Sequence, residues 1–216
     1  SKILLKKCEF LKNNYIYHNK NKVISLNDIP LFGEKNLENV LASVAIASNS
    51  KIKPLCIKKS ILSFKAPRHR MEYVGEINGA RVFDDSKATN ISSVLSAISS
   101  LGEQGLVILL GGENKGFEFD EIFNKNFFFE DILCFGQSGE RICKCGQKYG
   151  YSPKLFGTMK EACLYARQNA TEGQKILLSP ACASFDEFAS YAVRGEIFKE
   201  MMVGDYEKIE FSQDDN

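Results

Sequence analysis

At the centre of the sequence stands Asp84-Asp85-Ser86-Lys87-Ala88-Thr89-Asn90, a polar stretch between an apolar alternating run and a helix-like pattern. This position predicts a turn that leads from a strand into a helix. In an open α/β sheet, ligands bind at the turns that follow the carboxyl ends of strands, and helix-start amides favour anions. A plainer interpretation also stands, since Asp and Ser cap helices and Asp85 with Lys87 can form an exposed ion pair of ~0–1 kcal/mol.

Two further turns of the same kind follow later in the chain. Gly111-Gly112-Glu113-Asn114-Lys115-Gly116 comes after the apolar run 106–110, and Ser179-Pro180-Ala181-Cys182-Ala183-Ser184-Phe185-Asp186 comes after the run 175–178. Each is a strand end followed by small residues. Because the carboxyl ends of parallel strands share one edge of a sheet, we expect the three turns to meet in one cleft.

Strands and helices alternate over most of the chain. Asn78-Gly79 between two apolar runs is a hairpin signal, and the run 106–110 is typical of a buried parallel strand. The alternation predicts an α/β fold, a Rossmann-like, doubly wound and mostly parallel sheet that is covered on both faces. The predicted elements are strands at 72–77, 80–83, 106–110, 131–135, 153–156 and 175–178, and helices at 91–101, 119–123, 140–146, 159–170 and 185–202.

A different pattern precedes this alternation. Residues 1–30 predict two or three antiparallel strands, the last of which ends at Pro30. Two helices are predicted next, at 36–47 and at 52–62, with Pro54 in the first turn of the second. Pro67 and the polar residues after it mark a boundary. We therefore predict two domains, 1–64 and 65–216.

Composition restricts the classes of partner. A net charge of +1 predicts neither nucleic-acid binding nor attraction to an anionic membrane. Seven cysteines without a repeating spacing indicate reduced thiols in a cytoplasmic protein, and Cys143-Lys144-Cys145 lacks the further ligands of a structural zinc site. No apolar run approaches the ~20 residues that span a bilayer.

Four motifs in this order resemble the D-glutamate-adding ligases of the Mur ligase family. They are His69-Arg70, then Asp85-Ser86-Lys87-Ala88-Thr89-Asn90, then Leu110-Gly111-Gly112 with Lys115, and finally Leu178-Ser179-Pro180-Ala181-Cys182-Ala183-Ser184 with Arg194-Gly195. The resemblance covers nearly the whole chain. It implies an enzyme of peptidoglycan synthesis that uses ATP and Mg²⁺ to activate UDP-N-acetylmuramoyl-L-alanine as an acyl phosphate, which the amine of D-glutamate attacks.

The resemblance also implies roles for residues of the first motifs. It assigns catalytic roles to Lys87 and His69, with Lys87 facing the acyl phosphate and the incoming amino acid. It places Asp85 at the nucleotide ribose and Arg70 at the nucleotide phosphates.

Asn36 and Asn39 match a family position that binds adenine. Two departures from the family pattern accompany them: Lys35 stands where histidine is common, and Glu113 where aspartate is frequent.

A further set, by the same resemblance, binds D-glutamate: Thr89, Lys115 and Ser184 through their side chains, and Tyr191 through its backbone. Because D-glutamate carries two carboxylates, it needs hydrogen-bond donors at both ends, and one ammonium with two hydroxyls supplies these donors. An alternative for Ser184 is the N-cap of the last helix, with Glu187 completing a capping box.

The phosphate loop Gly-x-x-x-x-Gly-Lys-Ser/Thr of these ligases does not occur, and Gly111–Gly116 does not fit that pattern. We therefore expect 1–64 to be the end of an ATP-binding domain and 65–216 to be a complete glutamate-binding domain. The main groups for ATP and Mg²⁺ then lie in an absent N-terminal half. The chain alone is expected to be inactive and to self-associate through exposed strand edges.

Two other functions remain open from the residues. One is another amide ligase of the same superfamily, of the folylpolyglutamate synthase type, although the 179–184 stretch favours the D-glutamate adder. The other is a binding module for an acidic metabolite, without turnover.

Overall fold

The computed structural model of the chain describes residues 11–18, 21–31, 34–65 and 67–204. The chain divides into two compact units, Ser1–Ala66 and Pro67–Asn216. None of the helices in the described part has the length and apolar character needed to cross a bilayer.

The first unit combines a small antiparallel sheet with two helices. Its strands β1, β2 and β3 pair as antiparallel neighbours in that order, which confirms the predicted antiparallel strands, and the part of that prediction on residues 1–10 lies outside the described residues. The last strand ends at Ser25 and not at Pro30, because a 3₁₀ turn at Leu26–Asp28 follows it. Pro54 opens the second helix, where its missing N–H costs no hydrogen bond. The elements are β1 Leu11–Lys12, β2 Tyr15–His18, β3 Asn21–Ser25, α1 Glu34–Asn49 and α2 Pro54–Ser63.

The second unit is the predicted α/β sheet. Its strand order is β4-β5-β9-β6-β7-β8; β4 is antiparallel to β5, and all other pairs are parallel. The Asn78-Gly79 hairpin joins β4 to β5, which confirms that prediction. The elements are β4 Glu72–Ile77, β5 Ala80–Asp84, α3 Ile91–Leu101, β6 Leu106–Gly111, α4 Asp120–Phe123, β7 Asp131–Phe135, α5 Gly139–Lys148, β8 Lys154–Leu155, α6 Met159–Gln168, β9 Lys175–Ala181 and α7 Tyr191–Val203.

Both faces of this sheet carry an apolar core. Strand β6 is buried along its whole length, so its alternate side chains serve two different layers. Leu106, Ile108 and Leu110 pack with the side chains of α3, α4 and α5. Val107 and Leu109 pack on the other face with those of α6 and α7. The doubly covered, mostly parallel sheet is therefore confirmed.

The ends of α3 explain why its predicted bounds, 91–101, are those observed. The Asn90 side chain caps the start by accepting from Ser93 N–H at 2.9 Å. At the other end, Lys175 Nζ donates to the carbonyls of Leu101 at 2.8 Å and Gly102 at 3.1 Å.

Two predictions near the last strand are wrong. Strand β9 continues to Ala181, so the small-residue turn begins only at Cys182. The last helix begins at Tyr191, and Ser190 caps it by accepting from Val193 N–H at 3.2 Å. Ser184 is therefore not the cap of α7. The carboxylate of Glu187 instead accepts from the N–H of Met159 at 3.0 Å, at the start of α6.

Candidate functional site

Three polar turns meet at the carboxyl edge of the parallel sheet. They follow the adjacent strands β5, β6 and β9, and we name them the first turn (85–90), the second turn (112–116) and the third turn (182–190). Ala181 N–H donates to Ala88 O at 2.9 Å, which joins β9 to the first turn. Glu113 and Ala183 exchange two backbone hydrogen bonds, of 3.0 and 2.9 Å, which join the second and third turns.

A β-bulge in β9 directs the chain into this edge. Leu178 pairs with Leu109 and Ala181 with Gly111, so Ser179 and Pro180 face a single residue of β6. A bulge accommodates a proline, which has no N–H to donate, inside a central strand. Ala181 then adopts a φ of 66°. Such a left-handed conformation is uncommon for a residue with a side chain and is typical of functional sites.

Asp85 is a buried carboxyl at the base of the first turn, with 7% of its surface exposed. Its Oδ1 accepts from Met71 N–H at 3.2 Å, and its Oδ2 accepts from the Ser179 hydroxyl at 3.1 Å. Burial raises the pKa of Asp85 to about 7, although these hydrogen bonds and the nearby Arg70 oppose the rise.

Lys87 lies half-buried on the first turn. Its backbone N–H donates to His69 O at 3.1 Å, and its Nζ lies 5.0 Å from the centroid of the Tyr191 ring. No carboxylate oxygen of the described residues lies within 4.0 Å of the ammonium. The alternative of an exposed Asp85–Lys87 ion pair is therefore wrong, and the ammonium has no anionic partner within the described chain.

His69 is buried behind Lys87. Its Nδ1 lies 2.7 Å from Asp84 Oδ2, and its Nε2 lies 3.4 Å from Glu196 Oε1. The backbone of His69 has a φ of 62°. Because both ring nitrogens face carboxylates and its carbonyl accepts from Lys87, His69 supports the first turn.

The only group of potential metal ligands found among the described residues comprises His69, Glu72 and Asp84. Lys199 Nζ lies 2.7 Å from Glu72 Oε2 and 3.7 Å from Asp84 Oδ2. Burial of Glu72 raises its pKa, but the hydrogen bonds from Lys199 and from the backbone of His69, together with the charge of Lys199, outweigh burial, and the net pKa is lowered. The lysine thus supplies the positive charge, and the group is an ion-pair network.

The side chains predicted to bind D-glutamate lie on the three turns. Thr89 is half-buried beside the cap of α3, Lys115 is exposed, and Ser184 is buried. The second turn is held by Asn114, whose side chain accepts from Phe117 N–H at 2.8 Å and donates to its carbonyl at 3.0 Å. This turn presents Lys115 with its Nζ 6.0 Å from the ring centroid of Phe185, on the third turn.

Tyr191 opens α7 next to these turns. Its carbonyl accepts from the Ser86 hydroxyl at 2.8 Å, and its ring lies 6.1 Å from that of His69. The described contacts of Tyr191 are thus with the first turn and with His69.

Three predicted residues remain, one in the second unit and two in the first. Arg70 is exposed and acts on Asp85 through its charge. Asn36 and Asn39 lie near the start of α1, in the first unit, where Asn39 is exposed.

The buried hydrogen bonds of three motif residues, Ser86, Ser179 and Arg194, were not predicted from the sequence. Ser86 is fully buried; besides its bond to Tyr191, its hydroxyl accepts from Arg194 Nε–H at 3.0 Å. Ser179 donates to Asp85. Arg194 was identified only as part of a motif, although an arginine within the apolar face of α7 is itself a signal of buried hydrogen bonding.

Comparison with known proteins places the chain in a family. The sequence profile of the family described as Mur ligase, glutamate ligase domain, matches residues 69–182, which is more than half of the chain. The chain belongs to the Mur ligase family. This Mur ligase chain is 39% identical over 206 residues to UDP-N-acetylmuramoylalanine–D-glutamate ligase of Thermoanaerobacter sp. (strain X514), which covers 92% of the chain and 45% of the relative. The enzyme of the same name from Geobacillus kaustophilus (strain HTA426) is 36% identical over 196 residues, which cover 90% of this chain and 44% of that enzyme.

Solved structures show the same fold at much lower identity. The UDP-N-acetylmuramate-alanine ligase of Thermotoga maritima superposes with a TM-score of 0.61 at 14% identity, covering 83% of this Mur ligase chain and 39% of that protein. The folylpolyglutamate synthase of the same organism superposes with a TM-score of 0.58 at 16% identity. That match covers 91% of this chain and 46% of the synthase. The chain therefore spans less than half the length of these relatives.

Proposed function

We propose that the second unit is the D-glutamate-binding domain of an ATP-dependent ligase that joins D-glutamate to UDP-N-acetylmuramoyl-L-alanine in peptidoglycan synthesis. The first unit is then part of its ATP-binding domain. The observation that carries the proposal is the convergence of three turns, with Lys87, Lys115 and several hydroxyls, at one sheet edge. Curated relatives at 35–39% identity, all bearing this enzyme's name, support it over the folylpolyglutamate type, whose solved structure is only 16% identical.

The dicarboxylate is recognised by the turns in this proposal. Lys115 offers an exposed ammonium for one carboxylate, and Thr89 and Ser184 offer hydroxyl donors that carry no negative charge. Tyr191 contributes through its backbone. Such a site needs separated donors on a rigid frame, and the backbone bonds between the turns are consistent with that requirement.

Lys87 assists the bond-forming step. The amine of D-glutamate must be neutral to attack the acyl phosphate, and a nearby ammonium lowers the pKa of that amine. The same positive charge stabilises the negative charge that develops on the acyl oxygen. His69 holds the backbone of Lys87, and the ring of Tyr191 faces its ammonium, so the charge is already oriented before the ligand arrives.

The nucleotide is bound by a second set of residues. ATP supplies the phosphoryl group that activates the carboxylate. We assign Asp85 to the ribose hydroxyls, Arg70 to the phosphates, and Asn36 and Asn39 to the adenine. The His69, Glu72 and Asp84 group already holds Lys199, so we do not propose it as the Mg²⁺ site.

Lys115→Ala tests the dicarboxylate site. The unchanged chain is expected to bind D-glutamate with a dissociation constant of about 1 mM, or ~4 kcal/mol. Loss of the ammonium that faces one carboxylate should weaken binding by at least about tenfold. Lys125→Ala removes another exposed lysine, on a different loop, and should leave the affinity unchanged. Equal affinities of the Lys115→Ala and Lys125→Ala variants, measured by calorimetric titration, would remove Lys115 from the site.

We also propose that these 216 residues alone do not turn over ATP, because they contain no phosphate loop of the Gly-x-x-x-x-Gly-Lys-Ser/Thr type. Phosphate release by the purified chain with ATP and Mg²⁺ should equal that of a heat-denatured sample. Release that exceeds this background and is abolished by Lys87→Ala would contradict the proposal.

A further inference from the structure

Arg194 is a fully buried arginine beneath the three turns, with 0% of its surface exposed. Its guanidinium donates four hydrogen bonds. Nε donates to the Ser86 hydroxyl at 3.0 Å, Nη1 to Ala183 O at 2.9 Å, and Nη2 to Ser86 O at 2.9 Å and Cys182 O at 3.0 Å. All four acceptors are uncharged oxygens.

These bonds connect segments that are distant in the sequence. Ser86 belongs to the first turn, whereas Cys182 and Ala183 belong to the third. The second turn is held through Ala183, which pairs with Glu113. The second turn also lies directly against the guanidinium, because a Cβ built on Gly112 would be 2.9 Å from Nη1. One side chain therefore contacts all three turns.

The positive charge of Arg194 has no ion-pair partner. Within the described ranges no carboxylate oxygen lies within 4.0 Å of the guanidinium, and Asp186, Asp84 and Glu187 act on it only from a distance. Burial lowers the pKa of Arg194 to about 10, so the group stays protonated at neutral pH. A charge in a poorly solvated position acts strongly on an anion nearby.

We propose that Arg194 is a positioning residue with an electrostatic function. Its planar group locks the first and third turns together, and its charge strengthens the binding of a dicarboxylate at the three turns without touching it. The connection of the turns depends on the hydrogen bonds alone, whereas the effect on a dicarboxylate rests on the D-glutamate site proposed above.

Three variants of the 216-residue chain separate these effects. Arg194→Met keeps the length of the side chain but removes the donors and the charge. Arg194→Lys keeps the charge but has a compact ammonium that cannot reach four acceptors. The matched control is Arg167→Met, because Arg167 Nη1 also donates to backbone carbonyls, those of Met201, Met202 and Gly204, at the far end of α7.

The first measurement is amide hydrogen exchange at Glu113 and Ala183, which report the bond between the second and third turns. Arg194→Met should exchange about tenfold or more faster at both amides, and Arg194→Lys should fall between it and the unchanged chain. Arg167→Met should leave both rates unaltered. If Arg194→Met does not fold, Arg194→Lys decides the result. Rates in the Arg194 variants equal to those in Arg167→Met would overturn the inference, whether or not D-glutamate binds.

The second measurement compares binding of D-glutamate with that of D-glutamine, which lacks one carboxylate. If Arg194 were merely structural, its loss would weaken the binding of both ligands equally. Arg194→Met should instead weaken the binding of D-glutamate about tenfold more than the binding of D-glutamine. Arg194→Lys should preserve the ratio of the two dissociation constants found for the unchanged chain. An unaltered ratio in Arg194→Met would refute the electrostatic function. Failure of the unchanged chain to bind either ligand would refute the proposed function, and the exchange rates would still decide the positioning role.

Discussion

Gly195→Ala is expected to lower the free energy of unfolding by about 3 kcal/mol, although alanine is normally the better helix former. Gly195 lies on α7, directly against His69 and Asp84, which support the first turn. A Cβ there would be 2.2 Å from His69 Nδ1 and 2.7 Å from Asp84 Oδ2. Neither group can move away, because both are buried and bonded to each other at 2.7 Å. The methyl group must therefore break the His69–Asp84 contact.

The comparison for this variant is Gly157→Ala. A Cβ on Gly157 would meet only the end of the Glu161 side chain, at 3.2 Å, and this flexible carboxylate, which accepts from Gly157 N–H at 2.8 Å, needs to move by only a few tenths of an ångström. Urea unfolding followed by circular dichroism should give a change within about 0.5 kcal/mol for this control. The predicted order is contradicted if Gly195→Ala is as stable as Gly157→Ala. We also expect Gly195→Ala to disturb Lys87, since His69 O accepts from its backbone.

Asp85→Asn is expected to stabilise the chain at pH 8 and to have little effect near pH 4. Burial raises the pKa of Asp85 from 3.8 to about 7, so the folded state holds its proton more tightly than the unfolded state does. This stabilisation is complete below about pH 4 and is lost as the pH rises to about 7. Above that, the ionised carboxylate costs up to about 4 kcal/mol, which an uncharged amide avoids.

The measurement is the difference in unfolding free energy between Asp85→Asn and the unchanged chain from pH 4 to pH 8. Asp120→Asn provides a carboxyl of opposite behaviour, because the hydrogen bond from Lys148 lowers the pKa of Asp120 to about 2. Because it loses this exposed ion pair, Asp120→Asn should be slightly less stable than the unchanged chain at pH 8. A stability gain for Asp85→Asn that is the same at pH 4 and pH 8 would show that Asp85 is not held protonated by burial. A carboxyl that destabilises its own fold is characteristic of a functional site.

The parts of the fold that local sequence determines were predicted well. Asn78-Gly79 specifies its hairpin, the apolar run after Gly105 specifies a buried strand, and Asn90 specifies the start of α3. In each case the residues that make the structure are neighbours in the sequence. The order of these elements was sufficient to predict that three turns share one edge.

The errors fall where distant segments decide the structure. Ser184 with Glu187 has the pattern of a capping box, but Glu187 bonds to Met159, 28 residues earlier in the chain. The strand predicted at 175–178 in fact continues to Ala181, because a bulge against β6 carries β9 through Pro180. The Arg194–Ser86 bond spans 108 residues and leaves no local pattern at all. Such contacts follow from the packed sheet and could not be predicted from propensity or spacing.

The most direct test of the D-glutamate site is a titration of the ¹⁵N-labelled chain with D-glutamate and with L-glutamate, observed at each backbone amide. We expect D-glutamate to shift amides of the first, second and third turns, including those of Thr89, Lys115 and Ser184. L-glutamate should shift them markedly less, because donors on three fixed turns match one arrangement of the two carboxylates and the amine. Equal responses to the two enantiomers, or shifts confined to residues away from the three turns, would contradict it.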